Sequence, residues 1–208
     1  MGTLQSPVIR AYQGEDHDAV YDVAVRTGAA GQDARGRYST DDLIGDIYAG
    51  PYLHLEPEHA YVLDSGGRPV GYVIGTASTI GYVAAYRDRW LPLMRQRYQP
   101  PDGPPATDEE RKLADMFNPE FMLIDGLAPY PAHLHINLLP DYQGGGFGRA
   151  MMSTFLASVA AAGVASCHLT VRPANTAALG FYARLGWQRL PCSTDHAIFL
   201  AKPTTPPG

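Results

Sequence analysis

The sequence predicts a mixed α/β domain in which a central β-sheet is flanked by helices. Three observations carry this. Short apolar runs rich in Val, Ile and Tyr alternate with longer stretches whose apolar residues recur at helical spacing. Two of those runs, at residues 133–139 and 167–171, lead into helices, the strand-to-helix step of an α/β fold. The 208 residues, 45% hydrophobic and 18% charged, suffice for one full core without metal or disulfide staples.

The elements follow in order. Residues 8–11 read as a strand, and 15–27 as a helix with Val20, Val23 and Ala24 on one face. The Gly- and Arg-rich stretch 28–39 reads as a loop. Thr40, Asp41 and Asp42 cap a short helix carrying Leu43, Ile44 and Ile47, and 51–57 reads as a connection. Residues 60–64 and 69–77, joined by a turn at 65–68, form a hairpin. Residues 78–131 differ in character and make a helical excursion. A helix over 83–98 is expected to break or kink at Pro92. Four prolines make 99–106 a rigid loop, and Thr107 with Asp108, Glu109 and Glu110 opens a second helix. The excursion is too short for its own core, so a single domain over 1–208 is expected, with a tail at 203–208. Residues 133–139 are a strand, 140–148 a Gly-rich loop, and 149–162 a helix ended by Gly163. A strand at 167–171 precedes a helix at 176–185, with Asn175 as N-cap and Gly186 as stop. Residues 187–190 and 197–201 close as an antiparallel pair. There is no internal repeat.

Acids outnumber bases 21 to 16, for a net charge of −5. That argues against a nucleic-acid partner, which wants a basic footprint, but leaves room for a local basic pocket around one anionic ligand. Cys167 and Cys192 are too few for a disulfide framework or a Cys-rich zinc site and read as buried thiols of a reducing compartment. The seven histidines show no metal-ligand spacing, so no metal is expected. Residues 1–7 lack the basic and apolar segments of a signal peptide, and no run approaches the ~18 apolar residues of a membrane span. A cytoplasmic location without membrane contact is the expectation. Arg outnumbers Lys 14 to 2 and Gly plus Pro reach 40 residues, the bias of a GC-rich bacterial genome.

The stretch 138–149 carries the chemistry. A strand runs into Gly144, Gly145, Gly146 and Gly148, and the glycines open a helix. Glycines let a ligand approach the backbone, successive N–H groups point at one spot, and the helix dipole adds positive potential. A pyrophosphate is the natural occupant. A Walker loop needs Lys-Ser/Thr after its last glycine, and Arg149-Ala150 stand there. A dinucleotide fingerprint fails in either register, with Arg149 or Met151 in its third place. Gln143, Gly146 and Gly148 do fit Gln/Arg-x-x-Gly-x-Gly/Ala, which resembles the coenzyme A pyrophosphate loop of the GNAT superfamily of N-acetyltransferases. Downstream, Asn175, Ala178, Phe181, Tyr182, Gly186 and Trp187 resemble the same family's Asn-x-x-Ala…Phe-Tyr-x-x-x-Gly-Phe segment. Together the two motifs cover about 132–191. In the first half, residues 42–46, 72–76 and 90–94 look like the C-terminal acetyltransferase-like domain of O-GlcNAcase.

The resemblance implies the GNAT fold, acetyl-CoA as cosubstrate, and N-acetyl transfer by direct attack of an amine in a ternary complex. Such transfer needs a held acyl donor, a stabilised oxyanion, a deprotonated amine and a protonated leaving thiolate. In the family a bulge splays the strand before the loop, freeing backbone groups for the pantetheine arm; the matching positions are Leu138 and Leu139. Gln143, Gly144, Gly145, Gly146, Phe147, Gly148 and Arg149 would line the pyrophosphate, and Asn175 matches a coenzyme contact. Gln143 would touch phosphate or hold the loop, Arg149 would add charge or lie solvated, and Asn175 would also cap its helix. Tyr182 stands at the family's general-acid position, or else packs. The family's carboxylate base is missing from the strand, where His133, His135 and Asn137 share one face. His135 or His133 would be the base, or both are core histidines. His168 reads as structural. Asp102, Asp108, Glu109, Glu110, Asp115, Glu120 and Asp125 would give the excursion an acidic roof favouring a cationic acceptor, or a merely solvated surface. The acceptor, a small-molecule or peptide amine, and the oligomeric state are not readable. The alternative is a catalytically inactive acyl-CoA-binding or interaction module.

Overall fold

The computed structural model describes residues 6–205. The N-terminal reading over 1–5 and the tail over 206–208 lie outside the described residues. Seven strands form one sheet in the order β1-β2-β3-β4-β5-β7-β6. They are β1 (Val8–Ala11), β2 (Tyr61–Asp64), β3 (Pro69–Thr76), β4 (Ala132–Leu138), β5 (Ser166–Val171), β6 (Gln188–Arg189) and β7 (Ile198–Pro203). Neighbours are antiparallel except β4 and β5, which run parallel. The helices are α1 (His17–Thr27), α2 (Asp42–Tyr48), α3 (Gly50–Leu55), α4 (Thr79–Ala85), α5 (Leu91–Met94), α6 (Asp108–Phe117), α7 (Phe147–Ala161) and α8 (Thr176–Arg184).

Strand alternation sorts the two layers. On one face of β4, Asn137 Nδ2 donates to Thr27 Oγ1 of α1, and His133 meets Tyr52 of α3. On the other, α7 lies over β2, β3 and β4, with the Phe155 ring against Gly75. A Cβ at Gly75 would come within 2.6 Å of that ring, so the close approach of α7 depends on this glycine.

Several expectations are corrected. The connection at 51–57 contains α3, because Pro51 sits in the first helical turn, where its missing N–H costs nothing. The helix after β3 starts at Thr79, with Ser78 Oγ accepting from Gly81 N–H as its cap. The discontinuity precedes Pro92: a wide π-type turn over Tyr86–Trp90 ends one helix, and Pro92 falls in the first turn of α5. Thr107 and Glu110 form the capping box that opens α6. The tail does not begin at Pro203, which is the last residue of β7, and Thr204 is buried, its N–H on Ala165 C=O at 3.0 Å.

The excursion shares the main core, to which it adds Tyr82, Tyr86, Trp90, Met94, Tyr98 and Met116. Its anchor is Asp46 of α2. That fully buried carboxylate accepts from Tyr21 Oη (2.8 Å), Tyr98 Oη (2.7 Å) and Arg97 Nη1 (2.9 Å). Trp90 Nε1–H donates to its backbone carbonyl. A buried charge is tolerable only when satisfied this fully. Among the described residues no helix is long and apolar enough to cross a membrane.

Candidate functional site

The site begins where the sheet opens. β3 holds β4 along its length, and β7 holds β5 over all six of its residues. Between them, β4 and β5 pair only at Ala132↔Cys167 and His133↔His168. Beyond His133 the two strands part. Leu139 N–H donates to Val70 C=O at 2.9 Å, so by the alternation of an antiparallel ladder the backbone groups of Ile136 and Leu138 turn toward the opening. Leu138 thus turns its N–H toward the opening, and its carbonyl accepts from Gln143 Nε2. Leu139 does not, because its N–H is already bonded to β3. The expected bulge is also absent from this ladder: the β3–β4 register runs unshifted from Thr76↔His133 to Gly71↔Leu138.

The glycine loop stands at the end of this opening. Gly144 (φ 78°) and Gly146 (φ 85°) adopt left-handed backbone conformations, and Gly146 is the N-cap of α7. A Cβ at either would meet no neighbour, so conformation rather than space demands glycine there. The N–H groups of residues 144–149 make no hydrogen bond among the described residues. Six unused donors stand at the N-terminus of a fifteen-residue helix, an arrangement that favours an anion. Gln143 holds the loop: its Nε2 donates to Leu138 C=O at 2.9 Å. Phe147 covers Gly145, and Arg149 is exposed in the first turn of α7. The Phe181 ring of α8 lies where a Cβ on Gly148 would approach to 3.2 Å, which ties the two motifs together. Asn175 Oδ1 accepts from Ala178 N–H at 3.1 Å, the cap geometry expected of it.

Tyr182 is buried, its ring against Phe181 and Trp187. Its hydroxyl has no hydrogen-bond partner among the described residues. It is also not one of the sealed-in orphan atoms, which are Tyr82 Oη and Trp187 Nε1, so it opens onto accessible space. Burial, with the nearby Cys167 thiol, pushes its pKa up, and the phenol keeps its proton.

The two candidate bases differ. His133 is buried with both ring nitrogens engaged, to Tyr52 Oη (2.7 Å) and Thr79 Oγ1 (2.8 Å). The Thr79 hydroxyl donates its proton to Pro131 C=O (2.8 Å). The network therefore assigns the His133 proton to Nδ1 and fills the Nε2 lone pair with the Tyr52 O–H. No lone pair remains to take a proton, which removes His133 as a base. His135 is half-buried with no hydrogen-bond partner among the described residues, beside Tyr52 (5.3 Å between ring centroids) and Tyr48 (6.1 Å). Burial lowers its pKa to about 4, so the imidazole is neutral with a lone pair available. His168 Nδ1 donates to Tyr130 C=O, a structural role.

The sequence reading missed one neighbour of His135, Tyr48, and two cations beyond it. Tyr48 sits beside it, Lys112 of α6 places its ammonium 5.4 Å from the Tyr48 ring centroid, and Arg172 follows β5. No periodicity or motif marks them; only the docking of α6 against the loop after α1 brings them together. The acidic roof is largely spent on structure. Tyr38 Oη donates to Asp108, Ser39 binds Glu109, Glu110 closes the capping box and Arg87 pairs with Glu120. Among the described residues one group has cation-compatible spacing, Glu56, Glu58 and His59, but His59 Nδ1 is bonded to Ser158 Oγ. Two surface concavities, of about 650 and 440 Å³, lie elsewhere, one around Arg10 and Asp64, the other behind α8 at Leu179 and Trp187.

The comparisons with known proteins agree with this geometry. The model of the acetyltransferase (GNAT) family matches residues 30–187. Protein O-GlcNAcase of Rattus norvegicus is 27% identical over 180 residues, which is 86% of this chain and 20% of that protein. The chain thus spans about a fifth of the length of that curated relative. The crystal structure of SsHAT is 46% identical with a TM-score of 0.93, covering 97% of this chain and 100% of that one. The structure of yncA, a putative acetyltransferase from Salmonella typhimurium, with its cofactor acetyl-CoA, shares the fold at 14% identity and a TM-score of 0.54, over 97% and 95% of the two chains. A strand opening beside a free-N–H glycine loop, in a chain matched over residues 30–187, leads to one conclusion: the protein belongs to the GNAT acetyltransferase family.

Proposed function

We propose that the chain is an N-acetyltransferase that moves the acetyl group of acetyl-CoA to a primary amine, on a small molecule or a peptide, by direct attack in a ternary complex. The observation that supports this is the parting of β4 from β5 beside six unused N–H groups. The cradle at 144–149 would take the pyrophosphate, with Arg149 adding charge and Gln143 holding the loop. The free N–H of Leu138 and the backbone of Ile136 would face the thioester arm, while the Leu138 carbonyl is held by Gln143. Asn175 and Phe147 would flank the same ligand.

Tyr182 would protonate the departing thiolate. A phenol held above its ordinary pKa of 10 is reliably protonated, and a thiolate leaving beside it is stabilised by that hydrogen bond. His135 would accept the amine's proton. A base with a pKa near 4 is weak, but attack on the thioester makes the amine nitrogen acidic, so a neutral imidazole at that point suffices. The excursion over 78–131 would cover the acceptor side of one domain.

Calorimetry with coenzyme A tests the cradle. The wild-type chain should bind, and Gly146→Asp should not, because it adds a charge of the wrong sign and a side chain at a left-handed position. Absence of binding by the wild-type chain would leave only an interaction module.

A further inference from the structure

Lys112 carries the inference. Its residue is only 5% exposed, yet its ammonium makes no hydrogen bond and no ion pair among the described residues. The ammonium lies 5.6 Å from the Tyr38 ring centroid and 5.4 Å from that of Tyr48. These aromatic faces attract a cation but accept none of its three protons in the ordinary way. Nor is Nζ sealed in, since the enclosed orphan atoms are Tyr82 Oη and Trp187 Nε1. The stem is covered and the head reaches accessible space beside Tyr48, whose ring centroid is 6.1 Å from that of His135. Burial lowers the Lys112 pKa, as expected for a desolvated ammonium that lacks a full partner.

The surrounding charges sharpen the point. Asp108, one turn earlier on α6, is occupied by the Tyr38 hydroxyl at 2.8 Å. Asp115, on the next turn, makes no ion pair with Lys112, and burial raises its pKa. Arg172 bears on Tyr38, Tyr48 and Lys112 alike, and it too has no ion pair among the described residues. Lys112 and Arg172 thus stand without ion pairs among the described residues, although the charges of Asp108 and Asp115 also bear on Lys112.

We propose that Lys112, supported by Arg172, is a subsite for a carboxylate on the acceptor, so that the preferred substrates are amines bearing an anionic group rather than polycationic amines. This rests on the acetyltransferase reading above and deepens it. The carboxylate would receive the unused ammonium protons, and the aromatic pair would keep the ammonium head in place. Charge-assisted hydrogen bonds of this kind are the strong ones, and desolvation makes them stronger.

The test uses matched pairs, the ω-amino acids from glycine to 6-aminohexanoate and their carboxamides, with acetyl-CoA and thiol release as the readout. For the best chain length, KM for the acid should lie about 10- to 100-fold below that for its amide, the usual worth of a hydrogen bond to a charged group. In Lys112→Met that ratio should collapse toward one, and in Arg172→Gln it should fall part of the way. Replacing a buried cation by an apolar chain of similar length is often neutral or stabilising, and an unchanged melting temperature will show that the variant folds. Equal KM values for acid and amide in the wild type, or an unchanged ratio in Lys112→Met, overturn the subsite. If no amine is acetylated although coenzyme A binds, the acetyltransferase reading fails separately. Calorimetric titration of the acids into the coenzyme-loaded protein then decides the subsite: binding lost in Lys112→Met supports it, and no binding by the wild type overturns it.

Discussion

The two ends of β4 are built from the same alternation and have opposite character. At its start, Ala132 and His133 pair with β5, and the His133 ring is locked between Tyr52 and Thr79. Two residues on, His135 points to the same face, but β5 has departed and no hydrogen-bond partner remains. The closed end stabilises the fold and the open end is available to a ligand. A side chain's usefulness is therefore set by what its neighbours leave unsatisfied, not by its type or its place in the pleat.

Several measurements would break or sharpen this contrast. The largest effect should come from the open side. Tyr182→Phe keeps the ring and removes the hydroxyl, so turnover should fall by about 10²–10⁴-fold. Affinity for coenzyme A should change by less than about threefold, because the backbone cradle is untouched. Turnover within about threefold of wild type would make Tyr182 a packing residue.

At the closed end the effect should be on stability. His133→Ala strands the Tyr52 hydroxyl, while Thr79 keeps its bond to Pro131 C=O, so the loss should be about 1–3 kcal/mol in urea unfolding, the cost of one buried group left unsatisfied. His135→Ala breaks no hydrogen bond among the described residues and should cost about 1 kcal/mol or less. Equal losses would erase the distinction between the two ends.

The pH dependence sharpens it further. Both histidines are held below their ordinary pKa of 6.5 by burial, His135 to about 4. Between about pH 6.5 and 4 the unfolded chain binds more protons than the folded one. Stability is therefore complete above about 6.5 and is lost as pH falls toward 4. His135→Gln should flatten part of that slope. If His135 is the base, acetyl transfer should show no acid limb near 6.5 from this group, because its imidazole is neutral down to about pH 4. A limb near 6.5 that vanishes in His135→Gln would contradict that state of the ring.

The smallest effect belongs to Gln143→Ala. It removes one exposed hydrogen bond to Leu138 C=O, worth about 0.5–1 kcal/mol, so the dissociation constant for coenzyme A should rise by about two- to fivefold. A loss of a hundredfold would place Gln143 on the phosphate itself.

Much of this was legible from residues alone. Gly146 and Gly148 announced the loop because a left-handed φ favours glycine at one and the Phe181 ring leaves little room for a side chain at the other. Asn175 announced its helix because an N-cap uses only its own neighbours. By contrast α3 was hidden, since a proline that reads as a break is equally at home in a first turn. The wide turn at Tyr86–Trp90 was misplaced onto Pro92 for the same reason.

The sequence by itself determined the order of the strands, the glycine loop and the family, because each depends on contacts within a few residues along the chain. Only the tertiary structure decided which histidine is free, which leucine turns its backbone to the opening, and that Lys112 lies between two tyrosine rings. Those facts depend on strands meeting or parting and on α6 docking against a loop about 70 residues earlier in sequence, through Tyr38–Asp108 and Ser39–Glu109. Hydrogen-bond satisfaction and desolvation are properties of the assembled neighbourhood, and a linear pattern carries no record of them.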